Sequence, residues 1–598
     1  MPNTTSASPY LLEIAWEACN QVGGIYTVIR SKVPAMMEYW GDQYCLIGPY
    51  FPQQAAAEFE PTDDYSDVFG RAVLKLREQG VEAHYGTWLV TGRPRIILIN
   101  PFSAYGDLDS IKQQLWEKHY IPTSNEDLLN QVLAFGSLVK RYVSELAQKT
   151  KVVAHFHEWM VGSAIPDLRR EQVPVKIVFT THATLLGRYL AMNDPNFYDQ
   201  LTAVDWRKEA RNFNIEPAVS IERAAAHGSH VFTTVSEVTV RECIYLLDRI
   251  PDTVLPNGLN IRRFTAMHEF QNLHLTYKKK IHRFVMGHFF QSFPFDLEKT
   301  LYFFTSGRFE YRNKGFDLTL EALARLNHRM KVAKSDMTVV MFFITKQPFH
   351  SINPDVLHSK ALMEEIQGTC QAIQEQVGER LFYEAASSTD HKLPELSNFV
   401  DDYWRLRYRR TVQSWKTHML PPVVTHNLVN DKTDEILHFL RESNLVNNAD
   451  DRVKIVYHPD FVSPTNPLFG MEYGQFVRGC HLGVFPSYYE PWGYTPLECV
   501  ASGIPAVTSD LSGFGDYVKK HVKKYTEKGI YVINRHEKGF DESAEQLTQH
   551  LMDYVELSRR ERIAQRNKVE SSSEMFDWKK LLVHYERAYQ LALTSPQE

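Results

Sequence analysis

Two doubly wound α/β domains facing each other are what this chain predicts, and three observations carry the expectation. Short β-rich runs alternate with longer amphipathic stretches, and each run closes on polar or glycine residues, as parallel strands do at a site-bearing sheet edge. The alternation comes as two series with a break between them. At 598 residues the chain is also too long for one hydrophobic core.

The first series begins with YLLEIAWEA (10–18), a Gly-Gly turn and a stretch of helical spacing from Ile25 to Tyr39. It continues through KVVAHFH (151–157), VKIVFTTH (175–182), HVFTTVS (230–236) and TVLPNG (253–258). The break holds HEFQNLHLTYKKKIHRFVMGHFF (268–290), which reads as a long polar helix or helical linker. The second series runs through LYFFTSGRF (301–309), TVVMFFI (338–344), VKIVYH (453–458), HLGVFPS (481–487) and PAVTSD (505–510). Residues 352–450 hold few strands and much helix-prone sequence, so they read as an inserted helical subdomain. MFDWKKLLVHYERAYQLAL (575–593) reads as an amphipathic helix. The expected division is a first domain at 1–267, a linker helix at 268–299 and a second domain at 300–574 interrupted by 352–450. A C-terminal helix at 575–598 packs back on the first domain.

Composition removes several function classes. A net charge of −6 gives no strong pull towards nucleic acid or an anionic membrane. With 43% hydrophobic and 23% charged residues, general disorder is excluded. The six cysteines are scattered, with no CxxC and no Cys/His box, which suits a reducing compartment and argues against structural zinc. No Lys or Arg precedes Arg30, and no apolar run approaches the roughly 18 residues of a membrane span. A soluble, cytoplasmic protein without metal or cofactor is expected.

Three segments can carry chemistry. In Asn20-Gln21-Val22-Gly23-Gly24-Ile25-Tyr26-Thr27, two glycines let amides at a helix N-terminus approach a phosphate oxygen, although a tight turn explains them equally well. In Gly307-Arg308-Phe309-Glu310-Tyr311-Arg312-Asn313-Lys314-Gly315, two cations follow a strand at the edge where open sheets bind ligands. Arg308 and Lys314 there could neutralise a leaving diphosphate; a solvated basic loop is the competing reading. The third segment is Ser487-Tyr488-Tyr489-Glu490-Pro491-Trp492-Gly493-Tyr494-Thr495-Pro496-Leu497-Glu498. Glu490 and Glu498 stand eight residues apart, and the Gly493–Thr495 amides open a helix. Paired carboxylates, phosphate-binding amides and remote cations suit sugar transfer from a nucleotide diphosphate; two surface glutamates would not account for the glycine and aromatics between them.

With those residues in view, the chain resembles the eukaryotic-type glycogen synthases, a retaining glycosyltransferase family. The likeness rests on the E-x7-E of Glu490 and Glu498, the GRFEYRNKG loop and the VGGIYTV turn, with HFHEW, HATLLGRYL, LPNGLN, HEFQNLH and RGCHLGVFPSYYEPWGYTP in support. It spans Leu11 to Leu593. It implies the GT-B fold, two Rossmann-like domains with the site between them, and transfer of glucose from UDP-glucose to the 4-hydroxyl of an α-1,4-glucan, glycogen, with retention. By the same resemblance Arg188, Arg308 and Lys314 would hold the diphosphate, with Gly493, Tyr494 and Thr495 adding backbone donors. Tyr473 would stack on the uracil, Glu498 would bind the ribose, and Glu490 and His182 would lie against the glucose. Trp492, Gly23 and Gly24 complete the expected substrate site. Retention could come from a covalent glycosyl-carboxylate or from same-face attack, and the sequence separates neither.

Arg559, Arg562 and Arg566 share a helix face at i, i+3 and i+7. Taken alone they read as a solvated face. The resemblance makes them the phosphate site of a glucose 6-phosphate effector, completed by His268, Gln271, Asn272, His274, Lys278 and His481. It also implies a homotetramer built through the inserted helices. Lys568 and Ser571 depart from the family's arginine run, and the short termini lead us to expect weak phosphorylation control or none. Asp107-Leu108-Asp109 reads as loop chemistry, not a metal site, and the cationic-aromatic stretch 404–410 as a subunit contact or solvated face. Bacterial-type enzymes that use ADP-glucose usually show Lys-x-Gly-Gly where this chain has Gln21, which favours UDP-glucose. A non-catalytic glucan-binding protein of the same fold is the reading from another class. A phosphorylase would need a pyridoxal-phosphate lysine, and nothing singles one out.

Overall fold

The computed structural model describes residues 8–261, 270–387, 392–536 and 538–596. Among them the first series of strands makes a nine-stranded sheet in the order β3-β4-β5-β2-β1-β6-β7-β8-β9. These are β1 (Tyr10–Ala15), β2 (Tyr44–Pro49), β3 (Phe59–Pro61), β4 (Ala83–Trp88), β5 (Arg95–Ile99), β6 (Val152–His157), β7 (Val175–Thr181), β8 (Val231–Thr234) and β9 (Thr253–Val254). All pairs are parallel except those of β4 with β3 and β5; a short loop joins β4 to β5, whereas helix Val68–Glu78 lies between β3 and β4. The sequence reading named β1 and β6–β9 but passed over YCLIGP, AHYGTW and RIILI. It also ran β1 on to residue 18, whereas the strand stops at Ala15 and the chain turns there.

The second sheet is wholly parallel, in the order β14-β11-β10-β15-β16-β17. Its strands are β10 (Thr300–Arg308), β11 (Thr338–Lys346), β14 (Val453–His458), β15 (Leu482–Val484), β16 (Ala506–Ser509) and β17 (Ile530–Ile533). Between β11 and β14 the chain makes the antiparallel pair β12 (Phe349–Ile352) and β13 (His426–Leu428) and the helices Pro354–Ser387 and Asp402–Trp415. Helix Phe270–Phe289 is no free strut: Ile281, Phe284, Val285 and Phe289 are buried in the second lobe's core. The last helix, Trp578–Thr594, lies on the first lobe, where Trp578, Tyr585 and Tyr589 join Val28, Ile29 and Val153 in one cluster. Trp578 Nε1 donates to Ser31 Oγ at 2.8 Å and the Lys176 ammonium to the Ser595 carbonyl at 2.7 Å, so both ends of that helix are tied down. Among the described residues no helix is long and apolar enough to cross a membrane.

Candidate active site

A cavity of about 210 Å³ opens between the carboxyl ends of the two sheets. The chain arrives there because parallel strands end together. β1 delivers Glu17, β6 Glu158, β7 His182, β8 Val235 and β9 Asn257, while β10 delivers Arg308 from the opposite side. Along β10 burial is complete to Thr305 and gives way at Ser306, so the strand leaves the core where it meets the cavity. Arg188, Arg308, Lys314, His182, Glu490, Trp492, Gly493, Tyr494, Gly23 and Gly24 all line this space. Thr495 lines a small adjoining cavity, which shares Lys314 and Glu490 with the first.

Charges in the cleft are balanced locally. Lys314 Nζ is ion-paired with Glu490 Oε2. Arg308, 73% exposed, stands 3.6 Å from Glu310. Loss of water works against the Arg188 charge, and Tyr489 with the carboxylates of Glu158, Glu310 and Glu222 more than restores it. Around the loop 182–185 stand three buried carboxylates, Glu158 at the cavity wall and Glu222 and Glu242 fully enclosed behind it. Glu158 accepts from the His182 and Ala183 amides at 2.8 and 3.1 Å, and burial lifts its carboxyl to about 7. Glu222 accepts from Thr181 Oγ1 at 2.5 Å and the Leu185 amide at 3.0 Å, and burial lifts it to about 8. Glu242 takes hydroxyl donors from Thr184 at 2.5 Å, Tyr198 at 3.0 Å and Tyr489 at 3.3 Å, and burial lifts it to about 7. The Tyr489 bond crosses from the second lobe to the first.

The two-glycine turn differs from the expectation. Glu17 Oε2 already accepts from the Gly23 and Tyr26 amides, each at 2.8 Å, so a side-chain carboxylate occupies the helix N-terminus expected to meet a phosphate. A Cβ on Gly23 would come within 2.9 Å of that carboxylate, which gives the glycine a packing reason. Gly493 is different: its φ of 111° opens helix Tyr494–Ala501, and a Cβ there would come within 2.8 Å of Ser512 Oγ. Trp492 Nε1, a donor, and His182 Nδ1 are both buried without a partner among the described residues.

Tyr473 and Glu498 do not line the main cavity. Tyr473 is bonded through its hydroxyl to Ser306 Oγ at 2.6 Å, on the edge of the adjoining space. Glu498 sits one turn into its helix, near Tyr473 and Cys499, while Glu490 lines the cavity before that helix begins. Glu17, Glu158, Glu310, Tyr489 and Asn257 also line the cavity and had been given no role in it. Each except Tyr489 lies just beyond a strand's carboxyl end, which is the signal that could have found them; Tyr489 adjoins Glu490.

A second basic cluster lies away from the cleft. Arg566 is buried on helix Arg559–Ser573 and donates to His274 Nε2 at 2.9 Å and to Gln271 Oε1 at 2.7 Å. His274 donates its Nδ1 proton to the Arg478 carbonyl at 2.8 Å and packs edge-on to His481 at 5.1 Å. Burial, with Arg566 beside it, takes His274 down to about 3. Arg562 and Lys278 are half-buried nearby, whereas Arg559 and Asn272 are exposed. Burial foremost lowers Lys278, and Arg559, Arg566 and Arg562 add to it against Glu298. His481 Nδ1 accepts from the Tyr302 amide at 2.9 Å. His268 lies outside the described residues.

Other candidates are already satisfied internally. A cavity of about 240 Å³ in the first lobe is rimmed by Arg141, paired with Asp107 at 2.8 Å, and by Lys140, paired with Glu171 at 2.5 Å. Among the described residues Glu13, His155 and His157 are close enough to share an ion, but their facing atoms are engaged by Lys32, Thr180, Tyr589 and one another.

With this geometry in place the likeness can be tested. The glycogen synthase family model matches residues 13–597. The chain belongs to the glycogen synthase family. It is 45% identical to a glycogen [starch] synthase of Neurospora crassa over 98% of this chain and 83% of that protein. It is 44% identical to the liver glycogen [starch] synthase of Rattus norvegicus, with the same coverage of each. Among solved structures, the catalytic domain of starch synthase IV from Arabidopsis thaliana aligns with a TM-score of 0.51 and 14% identity. The alignment covers 98% of this chain and 100% of that one, which shows the shared GT-B fold. This is therefore a glycosyltransferase-family chain with its cleft between two Rossmann-like lobes.

Proposed function

We propose that the chain transfers glucose from UDP-glucose to the 4-hydroxyl at the end of an α-1,4-glucan, with retention, and that glucose 6-phosphate activates it. The observation that carries this is the convergence of Arg188, Arg308, Lys314, Glu490 and His182, from both lobes, on one cavity in a glycogen synthase family chain. In this reading the bond from the anomeric carbon to the diphosphate oxygen breaks while the three cations take up the charge on the leaving group. Glu490 lies against the transferred glucose and releases Lys314 to the phosphate. The acceptor hydroxyl attacks on the same face and its proton passes to the leaving oxygen. Tyr473, bonded to Ser306 of the adjoining space, serves the base, and Glu498 near it serves the ribose.

Crowding of Arg562, Arg566 and Lys278 supports an anion site on the arginine helix. Exposed Phe382, Tyr383, Tyr403 and Leu406 on the helices between β11 and β14 support a homotetramer, since isolated subunits rarely expose so much apolar surface in one place. Six free cysteines, five of them buried, suit the cytoplasm. The deciding experiment is glucose incorporation into glycogen from UDP-glucose and from ADP-glucose, each with and without glucose 6-phosphate. Preferential transfer from UDP-glucose, raised by the effector, is expected. Transfer from ADP-glucose alone would overturn the donor, and transfer from neither would turn the reading towards a glucan-binding protein.

A further inference from the structure

Behind the cavity wall a chain of enclosed polar groups leads to His182, and none of the groups before it has a part in the reaction above. Lys32, on the helix that follows the two-glycine turn, is ion-paired with Glu13 of β1, and neither is exposed at all. Tyr44 of β2 donates its hydroxyl proton to the other Glu13 oxygen. His157, the last residue of β6, meets Glu13 Oε1 through Nε2 at 2.7 Å. Its Nδ1 lies 2.9 Å from His182 Nε2, and His182 lines the cavity with Nδ1 unpartnered. The β1–β6 register sets Glu13 opposite His155, so its carboxylate reaches two residues along the same sheet face to His157. From the last helix, Tyr585 covers the Lys32 ammonium at 4.4 Å.

Proton accounting along this chain has one consistent solution. Burial would raise Glu13, but Lys32 and the His157 bond hold it well below the usual carboxylate range, so it accepts only. His157 must then donate from Nε2. Burial also keeps His157 neutral, which leaves its Nδ1 bare. His182 therefore donates from its own Nε2, and its Nδ1 carries a lone pair. We propose that Glu13 and His157 are positioning residues for His182. They hold its ring as the Nε2–H tautomer, so that Nδ1 accepts a hydrogen bond from one hydroxyl of the sugar in the cavity. This deepens the donor-site reading above and rests on it.

The test compares UDP-glucose with analogues in which each sugar hydroxyl in turn is replaced by fluorine, which can accept but cannot donate. In the parent protein one position loses about 10- to 100-fold more kcat/KM than the others, because a bare nitrogen faces it without a donor. His157→Phe frees His182 to carry its proton on Nδ1, and that position's excess loss disappears. Inductive effects of fluorine cancel between parent and variant. A parallel loss for all donors, with the positional excess intact, would reduce His157 to a structural role and overturn the proposal. Neutron crystallography of the unsubstituted protein reads the same protons without a variant. Deuterium on Nε2 of both His157 and His182, with none on His182 Nδ1, is expected; deuterium on His182 Nδ1 overturns it. Failure of the parent protein to transfer glucose would sink the functional reading, while the neutron result would still decide the proton chain.

Discussion

In the cleft, Lys314 is paired with Glu490 and Arg308 stands 3.6 Å from Glu310, whereas at the arginine helix Arg566 binds a neutral histidine and an amide and Arg562 a backbone carbonyl. Both places gather cations, but in the cleft Lys314 and Arg308 each stand against a carboxylate, whereas at the arginine helix Glu298 and Glu561 offset Lys278 and Arg562 only in part and both stay lowered. Burial lowers Arg562, Arg566 and Lys278, and in each case the other cations add to the shift. A cleft whose cations already have counter-ions can exchange them as a substrate passes through its charge states. A cluster of cations without a shared carboxylate gains most from an anion that stays.

The difference can be broken by substitution. Lys314→Ala removes both a leaving-group cation and the partner of Glu490, so turnover at saturating donor should fall by about 10²-fold or more. Near-parental turnover would strip Lys314 of that role. Arg562→Ala with Arg566→Ala should abolish the response to glucose 6-phosphate in the same assay while leaving basal transfer measurable. A retained response would make the cluster a structural helix face. The smallest effect concerns the enclosed carboxylates of the first lobe. Glu242 is ionised in the unfolded chain above about 4.5 but in the folded one only above about 7, so it costs stability increasingly as pH rises through that window and no further beyond it. The buried histidines act oppositely, at pH below their ordinary value near 6.5. Comparison of Glu242→Gln with the parent isolates the first effect: the variant's thermal midpoint should gain on the parent's between pH 5 and 8. A pH-independent difference would show that Glu242 is not protonated in the fold.

Several parts of the fold could be read directly. Helix Gly24–Trp40 and helix Trp578–Thr594 follow from apolar spacing, and β6, β7, β10 and β11 from β-rich, mainly apolar runs, because both faces of a parallel sheet are covered. β4 escapes that pattern because the apolar character of AHYGTW is weak, and its antiparallel pairing depends on β5 and β3 being beside it. In the site, Arg308, Lys314 and Glu490 could be named from their loops. Glu17 and Glu158 carry only the weaker signal of a place just past a strand end, which marks a surface acid equally well until the fold encloses it.

The amino-acid sequence by itself determined the two αβ series, the family and the segments that carry charge to the strand ends. Those depend on local periodicity and on runs of residues long enough to be distinctive. Tertiary structure alone decided that Glu17 fills the helix N-terminus and that His157 links Glu13 to His182. Such pairings join residues up to 144 positions apart. Their chemistry comes from excluded water, which no stretch of sequence records.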